Sequence, residues 1–213
     1  MNLPSKIKPI WLFFCLILIL GVNPYLYLSA ATVAQNKIEQ QELSAREKSD
    51  LQQGKVVLKG QKGSYLGQVV TTGNINTAWE VLTDYDNFAR FLPNIASSKV
   101  IEEAENRVIF EQVNVVDLWL FQQEFTVQIE AIKTKPSKVD FKIVDGELQK
   151  LVGRWQIEET SPGKILVSHG VEVEPGSDTE KPFFYGVYES SLEDTLKAIA
   201  LEINKRSQIQ SKN

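Results

Sequence analysis

The 213-residue chain has one cysteine and one histidine. A single cysteine excludes a disulfide framework within the chain and any cysteine-rich metal site. A single histidine excludes histidine-cluster zinc chemistry, and a serine–histidine–aspartate triad would have to use His169. No Walker, dinucleotide-binding, zinc or serine-nucleophile pattern is present, and Gly73, Gly153 and Gly170 stand alone and make no phosphate-binding loop. Positive charge is also scarce: 23 basic residues stand against 27 acidic ones, for a net charge of −4. Lys6 and Lys8 are the only charged residues before Lys37, so the other 21 basic residues face all 27 acidic ones. A net-acidic body without a Lys/Arg cluster argues against nucleic acid as a partner and against electrostatic docking on anionic lipid.

What is present is a globular composition, 43% hydrophobic and 23% charged, over a length that suits one domain with extras. The first extra is residues 1–34. Lys6 and Lys8 precede Ile10–Val22, an apolar run of about 13 residues, too short for a span of about 20. Small residues follow at Ser29-Ala30-Ala31 and Thr32-Val33-Ala34. That order is a secretory signal peptide ending at Ala31 or Ala34. The alternative is an uncleaved N-terminal anchor over Ile10–Ala34, interrupted at Asn23-Pro24. Cys15 follows Phe14 inside the apolar run, unlike a lipid-carrying cysteine, and leaves with the segment if it is removed. The expected compartment is therefore across a membrane: periplasm, thylakoid lumen or extracellular space. The protein there is soluble after cleavage or held by its anchor.

Residues 35–54 form a polar spacer in which Ser44-Ala-Arg-Glu47 reads as a capping box and Gly54 as a stop, giving a helix near 45–53. The body spans 55–207, with a polar tail at 208–213. Lys55–Lys59 and Ser64–Thr72 flank Gly60-Gln-Lys-Gly63 as a hairpin. Asn76-Thr77 reads as the cap of a first helix, and a second short helix is expected near Asn87–Leu92, ending at Pro93. A strand over Arg107–Val116 follows. Trp119–Ala131 then alternates with period two: Trp119, Phe121, Gln123, Phe125, Val127, Ile129 and Ala131 share one face. Val139, Phe141 and Ile143 repeat the pattern, as do Trp155 and Ile157, and so do Ile165, Val167, Val171 and Val173 with His169 in register. After Pro182, Tyr188, Leu192, Leu196, Ile199 and Ile203 fall at helical spacing over about 20 residues. The fold class is α+β: an antiparallel sheet with helices on one face.

Asn76-Thr-Ala-Trp79-Glu-Val-Leu82-Thr-Asp-Tyr-Asp86 followed by Phe91-Leu-Pro93 resembles the helix signature of the START-like (SRPBCC) superfamily, in its polyketide cyclase/dehydrase and coenzyme Q-binding branch. Asp145-Gly146-Glu-Leu148 with Gly153-Arg-Trp155 resembles its mid-domain hairpin. The resemblance covers about residues 55–205. It implies a helix-grip fold, a curved antiparallel sheet around a long C-terminal helix with an apolar cavity between. It also implies binding or carriage of lipids, quinones or polyketides, with chemistry in a minority of members.

Candidate ligand-binding residues follow. His169 lies on an apolar strand face, where a polar ring must find a partner; it would bond a quinone carbonyl or lipid headgroup, or act as acid or base, or else serve as a satisfied core histidine. Trp79, Phe88, Phe91 and Leu92 form a lid near the early helices or simply pack them on the sheet. Phe121, Gln123 and Phe125 face the same way on the long strand, and Gln123 is the polar one. Trp155 lines the pocket or is structural. Phe184 and Tyr188, with Phe183 and Tyr185, crowd the start of the last helix, where they gate the cavity, touch a membrane surface or pack. Asp84 and Asp86 near Glu80 read as turn residues rather than a metal site. No catalytic residue, metal or cofactor is assigned. The leading expectation is binding of a hydrophobic small molecule, a lipid, isoprenoid quinone or pigment. A cyclase/aromatase-like enzyme and a ligand-free interaction module of a membrane complex are the alternatives.

Overall fold

The computed structural model describes residues 43–118, 121–176 and 181–211, and side chains outside 116–123 and 181–182. The export segment, the first part of the spacer, Trp119 and the side chains of Phe121 and Gln123 lie outside the described residues.

The capping box forms as expected: Ser44 Oγ accepts from Glu47 N at 3.3 Å, and Ser44 N donates to Glu47 Oε2 at 2.7 Å. It opens helix α1 (Ala45–Gln52), which ends at Gly54 and is tied to the sheet by a Lys59–Glu47 ion pair. Strands β1 (Val57–Gln61) and β2 (Ser64–Thr72) make the hairpin. Its turn residues Lys62 and Gly63 both have positive φ, 54° and 88°, the geometry that matches the twist of a two-residue hairpin.

Helix α2 (Ile75–Leu82) is capped by Asn74, whose Oδ1 accepts from Thr77 N at 2.9 Å, not by Asn76-Thr77. Thr77 is fully buried instead, and its hydroxyl reaches Asn74 and Gln210. A 3-10 helix covers Tyr85–Arg90, earlier than the helix expected to end at Pro93. Then come β3 (Ile95–Glu103), β4 (Arg107–Leu118), β5 (Phe121–Thr134), β6 (Lys138–Gly146), β7 (Leu148–Ser161) and β8 (Lys164–Pro175). Sequence reading missed β3. It has a single strand neighbour, bulges twice and carries Ser97, Ser98, Lys99, Glu102 and Glu103, so no clean alternation marks it. The eight strands form one antiparallel sheet in the order β1-β2-β8-β7-β6-β5-β4-β3.

Helix α3 (Lys181–Gln210) has 30 residues and continues through part of the segment expected as a tail. Leu192, Leu196, Ile199 and Ile203 are buried on one stripe against the sheet. Close seating depends on Gly67, where a Cβ would stand 2.2 Å from Leu196 Cδ1. The buried Thr71 hydroxyl donates to the Ala200 carbonyl at 2.8 Å, fixing the helix along β2. The C-terminal half of α3 therefore fills the space above β2 and β8. Its N-terminal half does not close down on β4–β7, and that difference positions the site.

Candidate functional site: the cavity between sheet and last helix

A cavity of about 660 Å³ lies between the inner face of β4–β8, the first turns of α3 and the segment 82–95. Alternation along the strands builds its wall. On β4, Phe110, Gln112 and Asn114 face in, paired in register with Ile129, Val127 and Phe125 of β5. Val139 and Phe141 of β6, Leu151 and Trp155 of β7 and His169 of β8 continue the surface. Leu82, Ala131, Val139 and Ile199 close one end. The other end opens between Asn94, Glu147, Gly176, Phe183, Ser190 and Asp194, all exposed. Polarity thus rises from the closed end to the mouth. The volume and mostly apolar lining suit a small-molecule pocket.

His169 is 5% exposed and sits opposite Trp155 in the β7–β8 ladder. Its ring stacks on Trp155 at 3.8 Å between centroids and on Phe141 at 5.4 Å. Burial pulls its pKa down to about 3, against a weaker upward pull from a hydrogen bond with the Arg154 backbone. Nδ1 has no hydrogen-bond partner among the described residues. The imidazole is therefore neutral near pH 7 and offers no positive charge. Burial likewise raises the Tyr85 and Tyr188 phenols, so both stay protonated.

Of the sequence candidates, the structure brings Phe88, Leu92, Phe125, Trp155, His169, Phe184 and Tyr188 together around this one cavity. Phe184 and Tyr188 stack on each other at 5.7 Å, and Tyr188 stacks on Tyr65 at 6.0 Å. Phe183, at 59% exposed, projects from the mouth. Trp79 and Phe91 do not line the space. Trp79 is packed in the core beneath α2. Phe91 lies edge-on to Phe88, with the Arg206 guanidinium 5.3 Å above its ring. Phe91 thus meets the C-terminal half of α3 rather than the open half. Phe121 and Gln123 cannot be placed, since their side chains lie outside the described residues.

Gln112, Asn114, Asn94 and Tyr85 also line the cavity and were missed. Gln112 and Asn114 carry the signal that singled out His169, a polar residue in register with apolar ones: Val108, Phe110, Gln112 and Asn114 alternate on β4. The carboxylates near the early helices are structural. Asp84 pairs with Arg206 at 2.8 Å and accepts from Asn87, and Asp86 accepts from Val100 N at 2.7 Å. Among the described residues no group of three or more His, Cys, Asp or Glu side chains is placed to hold a metal.

A single curved sheet gripping a long helix over an apolar cavity defines a helix-grip protein. The chain belongs to the family described as polyketide cyclase/dehydrase and lipid transport, whose profile matches residues 74–200. Its fold is similar to that of a STAR-related lipid transfer protein from Xanthomonas axonopodis, 15% identical with a TM-score of 0.57, covering 70% of this chain and 92% of that one. It is similar to the Zhui aromatase/cyclase from Streptomyces sp. R1128, 15% identical with a TM-score of 0.56, covering 66% and 93%. A START superfamily protein from Mycobacterium smegmatis is 14% identical with a TM-score of 0.55, covering 74% and 99%. At these identities the likeness establishes the fold alone. Comparison with curated protein sequences finds no significant match.

Proposed function

We propose that the chain is an exported binding protein that holds a hydrophobic small molecule, a lipid, isoprenoid quinone or pigment, in this cavity near a membrane. The observation that carries the reading is the cavity itself: about 660 Å³ of mostly aromatic and aliphatic lining, with no convergent acid–base pair among its described residues. Apolar side chains of β4–β8 and α3 desolvate the ligand, and a few neutral polar groups set its orientation. The mouth beside Phe183 and Asn94 admits it. Export is supported by the order of Lys6, Lys8, Ile10–Val22 and the small residues up to Ala34. Among the described residues no helix is long and apolar enough to cross a membrane.

A cyclase needs a base of useful pKa held within reach of a second group. His169, held near pKa 3 with Nδ1 unpartnered among the described residues, does not meet that need, and Glu147 and Asp194 sit exposed at the rim. A ligand-free interaction module is expected to fill its core.

The purified full-length product, extracted into organic solvent and examined by mass spectrometry, should release an apolar compound in near-stoichiometric amount. Recovery of none, together with failure of the stripped protein to take up lipids or quinones, would overturn the reading. N-terminal sequencing of the exported protein should give Thr32 or Gln35 as the first residue; a start at Met1 points to retention of the anchor.

A further inference from the structure

The charge of the cavity narrows the ligand further, on the footing of the apolar-ligand reading above. Among the described lining residues there is no lysine and no arginine. The two charged ones, Glu147 and Asp194, are both acidic and both exposed at the mouth. Basic side chains of the same strands point to the outer face and are engaged there: Arg154 with Asp140, Lys150 with Glu172, and Arg107 and Lys142 with Glu130. His169 adds no charge, because Trp155 and Phe141 enclose it. An anionic headgroup entering this space would pass two carboxylates and meet no basic side chain among the described lining residues, and an unpaired buried carboxylate is strongly disfavoured.

The polar groups offered inside are neutral ones, Gln112 among them. Gln112 is 9% exposed and lines the cavity between Phe110 and Asn114 on β4, opposite Val127 on β5. Its side-chain amide borders the cavity, and an amide can donate twice and accept twice. Buried amides are normally satisfied, and a ligand oxygen at this position would bond it.

We infer that the cavity selects uncharged amphiphiles, with an apolar body and one hydroxyl or carbonyl oxygen bonded to the Gln112 amide, and rejects fatty-acid anions and phospholipids.

The test uses the full chain, stripped of bound lipid, and a matched set of eighteen-carbon probes at pH 8: oleyl alcohol, methyl oleate, oleate and 1-octadecene. Affinities are read by displacement of a neutral fluorescent dye. Oleyl alcohol and methyl oleate should bind at least about tenfold more tightly than oleate. Oleate binding as tightly as the alcohol or more tightly overturns the charge selection while leaving the apolar-ligand reading intact. Binding of none of the four overturns both. The Gln112→Leu variant should lose the preference for alcohol over octadecene and keep its affinity for octadecene; a preference that survives overturns the part given to Gln112. The wild-type comparison decides the charge selection even if that variant fails to fold.

Discussion

Acidification from pH 8 to pH 5 should destabilise the protein by roughly 2 kcal/mol through His169 alone. Burial between Trp155 and Phe141 lowers the ring's pKa from 6.5 to about 3. As pH falls through about 6.5, the unfolded chain takes up a proton on this residue while the folded chain refuses it until about 3. Across that window the unfolded state binds more protons, so stability falls with pH; above it both forms are neutral and His169 adds no pH dependence. At pH 5 the unfolded ring is almost fully protonated, a gap of about 1.5 pH units at about 1.36 kcal/mol each. Any folded value below about 4 gives nearly the same result at that pH. The assay is urea denaturation of wild type and His169→Gln at both pH values. Carboxylates held low by cationic partners, such as Glu130 and Glu202, also lose stability in acid, but equally in both proteins. Wild type should lose about 2 kcal/mol more than the variant on going to pH 5. Equal losses, within about 0.5 kcal/mol, would refute a ring that is buried and neutral.

Other outcomes follow from the packing. Gly67→Ala places a methyl group against Leu196 and should destabilise by about 1–3 kcal/mol; combined with Leu196→Ala, it should cost at least about 1 kcal/mol less than the two single changes summed, by chemical denaturation. Val127→Phe projects a ring into the cavity, where there is room for it, so melting should change by less than about 1 kcal/mol while uptake of apolar ligand falls at least about tenfold. Arg206→Ala removes ion pairs to Asp84 and Glu202 and the guanidinium over Phe91; partial exposure limits the loss to about 1 kcal/mol, which 1 M salt should reduce in urea titrations.

Much of the frame was legible because it is written locally. Ser44 and Glu47 announced α1, Gly60-Gln-Lys-Gly63 the hairpin, and Val167-Ser-His169-Gly-Val171 a strand with its histidine turned inward. Where local signals compete, reading failed by a few residues. Asn74, not Asn76-Thr77, caps α2, because Thr77 is drawn into the interior to reach Gln210. The edge strand β3 gave no alternation, since the pairing that makes it a strand comes from β4.

The sequence by itself determined the fold class, the inward faces of the strands and the poverty of acid–base chemistry. These follow from period, composition and counting, each a property of neighbouring positions. Which inward residues surround empty space was decided only in three dimensions. Trp79 and Phe88 looked alike along the chain, and both are buried in the core, yet only Phe88 also lines the cavity. The reason is how α3 seats. Gly67 lets its later turns close on β2, and its earlier turns stand off β4–β7. A glycine on one strand and a helix more than a hundred residues later set that gap. The same gap turns Gln112 from an unremarked polar residue into an amide that borders the cavity.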